Sequence, residues 1–299
     1  MINKLQTLIL AILIFGYSGL KSQNLYFIVE KNNLVKNSPV QKKFVKDNNL
    51  KQAVVLYQDD FVTHNLNQDF SPKIMDEVMG DRFPTKSMSG IGLLDWEGKK
   101  AQILYGTTNA SEKEFNTVLK EFISAIRYAK ELRPNVKWSF YGFPVRVLKD
   151  NTYVQWQRKV ERLEPLFREM DYICPNFYQF LRNDKDKYEE DVRQHVLLSI
   201  KIGQMVNKPV LGLVWHRYQT NSELVPPNEF ASYVDKISSY SYQNKKLDGV
   251  IWWNSEGFNY IRKARYPKIA AEYKAVSNTD NYQYNNLKSY LGLLKRYYK

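Results

Sequence analysis

Gly90-Ile91-Gly92-Leu93-Leu94-Asp95-Trp96-Glu97-Gly98 is an apolar run that finishes in two carboxylates two residues apart. A short run rich in Ile and Leu suits a parallel strand buried on both faces. Side chains two apart on a strand share a face. Asp95 and Glu97 therefore point together from the C-terminal end of this strand, while Trp96 between them points toward whatever layer covers it.

Six more segments have the same apolar, β-branched or aromatic character: Leu25 to Val29, Ala53 to Tyr57, Val136 to Phe143, Tyr172 to Tyr178, Pro209 to His216 and Gly249 to Asn254. Stretches with helical spacing separate the later ones. Over Ser111 to Leu132, the residues Phe115, Val118, Leu119, Phe122, Ile123, Ile126 and Ala129 line one face. Ser111 can cap that helix, Glu112 and Glu114 suit its first turn, and Arg133-Pro134 ends it. Further helices are expected over about Val154 to Met170, Glu189 to Val206, Pro227 to Tyr240 and Tyr260 to Ala275. Strands alternating with helices argue for an α/β parallel sheet. No glycine-rich phosphate turn follows the first strand, so an open nucleotide-binding sheet has little support. The expectation is a distorted (β/α) TIM-like barrel of about seven parallel strands, with its chemistry gathered where the strands end.

Those strand ends carry the unusual residues. Beside Asp95 and Glu97 stand Trp138 to Pro144, Asn176-Phe177-Tyr178, Trp215-His216-Arg217-Tyr218 and Trp252-Trp253-Asn254-Ser255-Glu256. Two close carboxylates favour keeping a proton on one of them, so the pair supplies an acid and an anion together, as glycoside cleavage requires. Aromatic faces stack on sugar rings, and phenol, amide and guanidinium groups hydrogen-bond their substituents. An Asp-x-Glu alone is weak, since acidic strand ends commonly cap the next helix or meet solvent. Some of the aromatics, Trp215 and one of Trp252 and Trp253 among them, are explained as well by closing the barrel top.

Other chemistries find less in the chain. His64, His195 and His216 lack metal-ligand spacing, His195 reads as a surface or packing residue, and there is no Gly-x-Ser-x-Gly elbow. No cofactor or metal is implied. The single Cys174 excludes an intramolecular disulfide and reads as a buried small hydrophobe. The formal charge of +13, or +11 without Lys4 and Lys21, favours polyanionic partners such as acidic polysaccharide, although charge also serves solubility. No nucleic-acid motif accompanies it.

Met1 to Lys4, the apolar Leu8 to Ile14 and the small and polar residues to Gln23 have the layout of a secretory signal peptide over residues 1–22, too short to span a bilayer as a stable anchor. Residues 23–299 then form one domain, whose end, 277–299, is expected to be a last helix or a basic docking tail.

The strand-end motifs, in order over about Ala53 to Ala275, resemble the animal-type hyaluronidases of glycoside hydrolase family 56. The likeness rests on Gly-Ile-Gly-Leu-Leu-Asp-Trp-Glu, Leu132-Arg133-Pro134 followed by Trp138 to Pro144, Pro175 to Tyr178, Arg193, and Gly249 to Trp253. It implies a divergent member of that family with a distorted barrel of about seven strands. It also implies a retaining mechanism in which the acetamido oxygen of the sugar attacks its own anomeric carbon. On that resemblance Glu97 is the acid and later the base, Asp95 orients the acetamido group, Tyr141 and Tyr178 hydrogen-bond around the reacting sugar, and Trp253 walls its pocket. Asn176 and Arg193 match substrate contacts. The substrate implied is an acidic or amino-sugar polysaccharide of the hyaluronan or chondroitin type. The family's paired disulfides cannot form here, and Gly98-Lys99-Lys100-Ala101 replaces its usual sequence after the Asp-x-Glu. The alternatives are a non-catalytic glycan-binding barrel and a structural component of the cell envelope.

Overall fold

The computed structural model describes residues 23–30, 39–145, 153–181, 185–265, 267–296 and 298. The signal peptide expected over residues 1–22 lies outside them. Six strands, β1 (Asn24–Ile28), β2 (Lys51–Tyr57), β3 (Gly90–Asp95), β4 (Val136–Phe140), β5 (Leu211–Trp215) and β6 (Gly249–Trp253), form one parallel sheet in the order β4-β3-β2-β1-β6-β5. Around it run α1 (Pro39–Asn48), α2 (Pro72–Arg82), α3 (Gly98–Tyr105), α4 (Glu112–Leu132), α5 (Tyr153–Glu161) and α6 (Glu164–Glu169). They are followed by α7 (Lys185–Val206), α8 (Pro227–Ser239), α9 (Glu256–Arg262), α10 (Pro267–Lys274) and α11 (Thr279–Leu294).

The seventh expected strand, Tyr172 to Tyr178, is not a continuous one. Pro175 brings no N–H to a ladder, and the Asn176 side-chain oxygen takes the Tyr178 N–H at 2.8 Å and turns the chain. The segment still bridges the two edge strands. Asp171 N–H donates to the Trp138 carbonyl at 2.8 Å on the β4 side, while Ile173 N–H reaches Pro209, and Leu213 and Phe177 exchange bonds with the segment and β5, each at 2.8 Å. The result is a distorted TIM-like barrel in which an irregular stretch occupies a strand's place.

Side-chain alternation divides the apolar residues into two cores. Ile28, Val55, Leu93, Cys174, Leu213 and Ile251 fill the barrel interior, and their neighbours one residue along pack outward under the helices. Trp96 belongs to the outer core and stacks on Phe122 of α4, with ring centroids 4.2 Å apart and planes at 7°. The α4 face expected from spacing is the buried one, and the Ser111 hydroxyl accepts the Glu114 N–H at 3.2 Å as its cap. Cys174 is buried, and burial pushes its thiol well above the usual range, away from thiolate chemistry.

Gly92 of β3 is paired with Trp138 of β4, and the Trp138 ring lies across it so closely that a Cβ would fall 2.5 Å from ring carbons. A Gly92→Ala chain is expected to lose roughly 1–3 kcal/mol, the usual scale of overpacking, read as a lower denaturant midpoint with unchanged slope.

Two long expected helices are broken instead. Val154 to Met170 divides into α5 and α6 because Pro165, in the first turn of α6, cannot continue the preceding ladder. Glu256 begins the next one early, and Pro267 restarts it as α10 after a short 3-10 turn. His195 is buried inside α7, its Nε2 2.8 Å from the Pro144 carbonyl and its ring edge-on to Trp156 and Phe177, so it is a packing residue. Residues 279–294 form α11, which lies on α1 and α8. No helix among the described residues is long and apolar enough to cross a membrane.

Candidate active site

At the C-terminal ends of the strands lies a cavity of about 80 Å³ lined by Asp95, Glu97, Tyr57, Tyr141, Tyr178 and Trp253, floored by Ile28, Val55, Leu93 and Leu213. Asp95 is the last residue of β3, and Glu97, two further on, is the N-cap of α3 without making a capping bond. Strand geometry thus turns both carboxylates into one space while burying Trp96 behind them. A space of this size holds roughly two to three waters at about 30 Å³ each. It suits a small side group with both polar and apolar parts.

Asp95 lies deep in the cavity, and its Oδ1 is buried with no hydrogen-bond partner in the protein. Burial, then the charge of Glu97, raises the Asp95 carboxyl well above the usual carboxylate range. Glu97 stands at the mouth, more open to solvent, and its carboxyl is raised by the surrounding protein too. Burial is the cause of the rise at Glu97. An Asp95→Asn chain should be more stable than the wild type at neutral pH. The folded pKa lies above the unfolded one, so the acid's stabilising contribution is full below the unfolded value and is lost as pH rises through the folded value. Thermal melts at pH 4 and pH 7 check this: the advantage of Asn must appear at the higher pH.

The aromatic wall is built ring on ring. Tyr178 and Trp253 stack with centroids 5.5 Å apart at 14°, Trp215 lies 4.7 Å from Trp253, and Tyr141 is 6.2 Å from Tyr178. Asn176 donates from Nδ2 to the Tyr141 hydroxyl at 2.8 Å and lines a second cavity of about 180 Å³, which shares Glu97 and Tyr141 with the first. Five expected site residues, Asp95, Glu97, Tyr141, Tyr178 and Trp253, therefore meet in one cavity, and Asn176 lines the adjoining one. Arg193 lines neither cavity. Its Nε meets Glu190 Oε2 at 2.7 Å on α7.

Tyr57 was missed by the sequence reading. It ends β2 in phase with Val55, so its ring enters the cavity, and its hydroxyl faces the Trp253 indole. Its backbone N–H donates to Asp60 at 3.0 Å, and Asp60 is held by Arg82 at 2.7 Å in a buried pair. The available signal was the strand period, which places Tyr57 beside the inward-facing Val55. Gln219 and Tyr105 of the second cavity had no such signal, because one is on a loop and the other ends a helix.

Behind the wall, the ends of β5 and β6 are tied together. Trp252 points outward and donates from Nε1 to His216 Nδ1 at 3.0 Å, and His216 Nε2–H then donates to Glu256 at 3.0 Å. Burial lowers the His216 pKa and keeps the ring neutral in that tautomer. Arg217 grips Glu256 with two bonds, at 2.6 and 2.7 Å, and Glu272 of α10 with two more, at 2.9 and 2.7 Å. Among the described residues no group of His, Cys, Asp and Glu could hold a metal ion.

No family model matches the chain. A curated relative, hyaluronidase Tab y 2.0101 of Tabanus yao, is 24% identical over 263 residues, covering 72% of this chain and 74% of the relative. The crystal structure of bee venom hyaluronidase superposes with a TM-score of 0.61 at 15% identity, covering 83% of this chain and 99% of the bee protein. The chain is similar to hyaluronidases in sequence and in fold. A second bee venom hyaluronidase structure, in complex with a hyaluronic acid tetramer, superposes with a TM-score of 0.54 at 16% identity, covering 84% of this chain and 95% of the other. The chain thus shares the barrel over nearly the whole length of the bee protein.

Proposed function

We propose that this hyaluronidase-like chain is an exported glycoside hydrolase that cuts an N-acetylhexosamine-containing polysaccharide of the hyaluronan or chondroitin type. The mechanism proposed is retaining and substrate-assisted. The observation that carries the reading is the buried, partnerless Oδ1 of Asp95 in a cavity the size of an acetamido group, beside a second carboxyl. A buried acceptor without a donor is costly, and the N–H of an acetamido group supplies that donor.

With the acetamido arm in the cavity, its N–H donates to Asp95 and its methyl lies among Val55, Leu93 and Leu213. Accepting that bond favours the ionised form of Asp95 and leaves the shared proton on Glu97. Glu97 then protonates the glycosidic oxygen as the acetamido oxygen attacks the anomeric carbon, and the Asp95 anion stabilises the oxazolinium-like intermediate. Water enters from the mouth. Glu97, now ionised, takes its proton, and the ring reopens with retention of configuration. Tyr141 and Tyr178 hydrogen-bond around the sugar, and Trp253 walls the arm. Asn176 positions Tyr141, and Arg193 could act only on units outside the two cavities.

Two raised carboxyls set the pH dependence. kcat/KM should fall as pH rises through the pair's raised range, because Glu97 then loses the proton it must donate. A flat alkaline limb through that range would oppose the assignment. The test of the function itself is reducing-end release from hyaluronan and chondroitin by the chain lacking residues 1–22, with absorbance of unsaturated product followed in parallel. Release without that absorbance indicates hydrolysis; binding without release indicates a glycan-binding protein that does not turn over.

A further inference from the structure

Phe180 lines the second cavity and also a third, of about 470 Å³, that runs between α7 and α8. The three spaces adjoin in order: the first and second share Glu97 and Tyr141, and the second and third share Phe180. We propose that the third space is a chain-binding groove for a neutral sugar unit of the same glycan, on the far side of Glu97 from the acetamido cavity. The proposal rests on the glycosidase reading for its direction along the chain.

Its lining has the chemistry of a neutral saccharide site. Phe180, Tyr188, Tyr218, Tyr233 and Tyr240 offer ring faces and edges to the apolar faces of a pyranose. The volume lies within the usual range for small-ligand pockets. Gln179 is only 5% exposed, and its amide oxygen has no hydrogen-bond partner. Glu229 accepts from the Tyr218 hydroxyl at 2.7 Å and the Gln179 amide at 3.4 Å, and it remains an acceptor for sugar hydroxyls. Among the charged groups of this lining, Lys236 is already paired with Glu189 at 2.6 Å, so Glu229 leaves the groove acidic. On a chain of net charge +13 that is a local reversal. It disfavours a uronate at this position and favours a hexose or N-acetylhexosamine.

The test uses the Glu97→Gln chain, which holds a glycan without cutting it, and titrates it calorimetrically with neutral N-acetylglucosamine oligomers from trimer to hexamer. A second chain adds Ser232→Trp, which fills the groove from an exposed position of α8. A third adds Tyr218→Ala in case the new indole disturbs the helix. Affinity should rise with length by about tenfold, the scale of one or two stacked rings, and both groove variants should lose that gain. Hyaluronan oligomers of matched length should gain less. Equal length dependence in all three chains overturns the groove and leaves the glycosidase reading intact. If the wild type cuts no glycan but the length gain and its loss persist in the Glu97→Gln chains, the groove stands and the hydrolase reading falls.

Discussion

Glu97→Gln is expected to fold like the wild type and to lose turnover by roughly 10²- to 10⁴-fold, the contribution of a positioned general acid and base. Gln keeps the shape of the side chain at the cavity mouth and cannot carry the proton to the glycosidic oxygen. It also removes a charge from beside Asp95, whose carboxyl is raised by its own burial and then by Glu97. Asp95 should consequently titrate lower in the variant, and binding of an N-acetylated oligosaccharide should persist or tighten while release of reducing ends stops. Rates on the best substrate, melting temperature and oligosaccharide affinity together decide the matter. A variant with near-normal turnover would remove Glu97 from the mechanism.

Arg217→Ala is expected to have the largest effect on stability. Arg217 is fully buried against Glu256 and bonded to Glu272, and the Tyr273 hydroxyl also donates to Glu256 at 2.6 Å. Burial alone would raise the Glu256 carboxyl, yet the Arg217 charge and the bonds from His216 and Arg217 hold it far below the usual range. Deleting the arginine leaves two carboxylates facing each other without their cation. Breaking such a pair costs on the order of 3–5 kcal/mol, about 10 °C in a chain of this size. The sign with pH follows from the depressed pKa. The contribution of Glu256 is present above its unfolded pKa and is lost as pH falls toward the folded one, so the gap between Arg217→Ala and wild type should narrow in acid. An Arg217→Ala/Glu256→Gln double variant should recover part of the loss, because the stranded charge is gone. Additive losses would mean that the two side chains stabilise the fold independently.

Sequence and structure divide the account of this protein in a way that follows from the range of each interaction. What depends on neighbours one to four residues apart was legible in the chain: the alternation that sends Asp95 and Glu97 inward and Trp96 outward, the buried face and Ser111 cap of α4, and the strand ends that carry Tyr141, Tyr178 and Trp253. Periodicity is a local property, and these elements obey it. The Tyr172 to Tyr178 segment kept its place in the barrel but not its strand geometry, because Pro175 and the Asn176 side chain break the ladder locally, and only closure against β4 and β5 holds it there. Helices broken at Pro165 and Pro267 are of the same kind, with tertiary packing deciding where a long apolar pattern restarts.

The remainder needed contacts across the whole chain. Asp95 is raised because the barrel buries it, and no spacing in the sequence reports how much water reaches a side chain. Tyr57 becomes part of the site because β2 lies beside β3, 38 residues later, in a register that pairs Tyr57 with Asp95. Arg193, placed near the site by motif alone, is bonded to Glu190 on α7 because that lies one turn away on the same helix. Glu256, at the start of α9 just past β6, is turned into the clamp by Arg217 just past β5 and joined by Glu272 from α10. Local order set which residues could reach the barrel mouth; the three-dimensional packing of distant segments decided which of them meet there and in what state of charge.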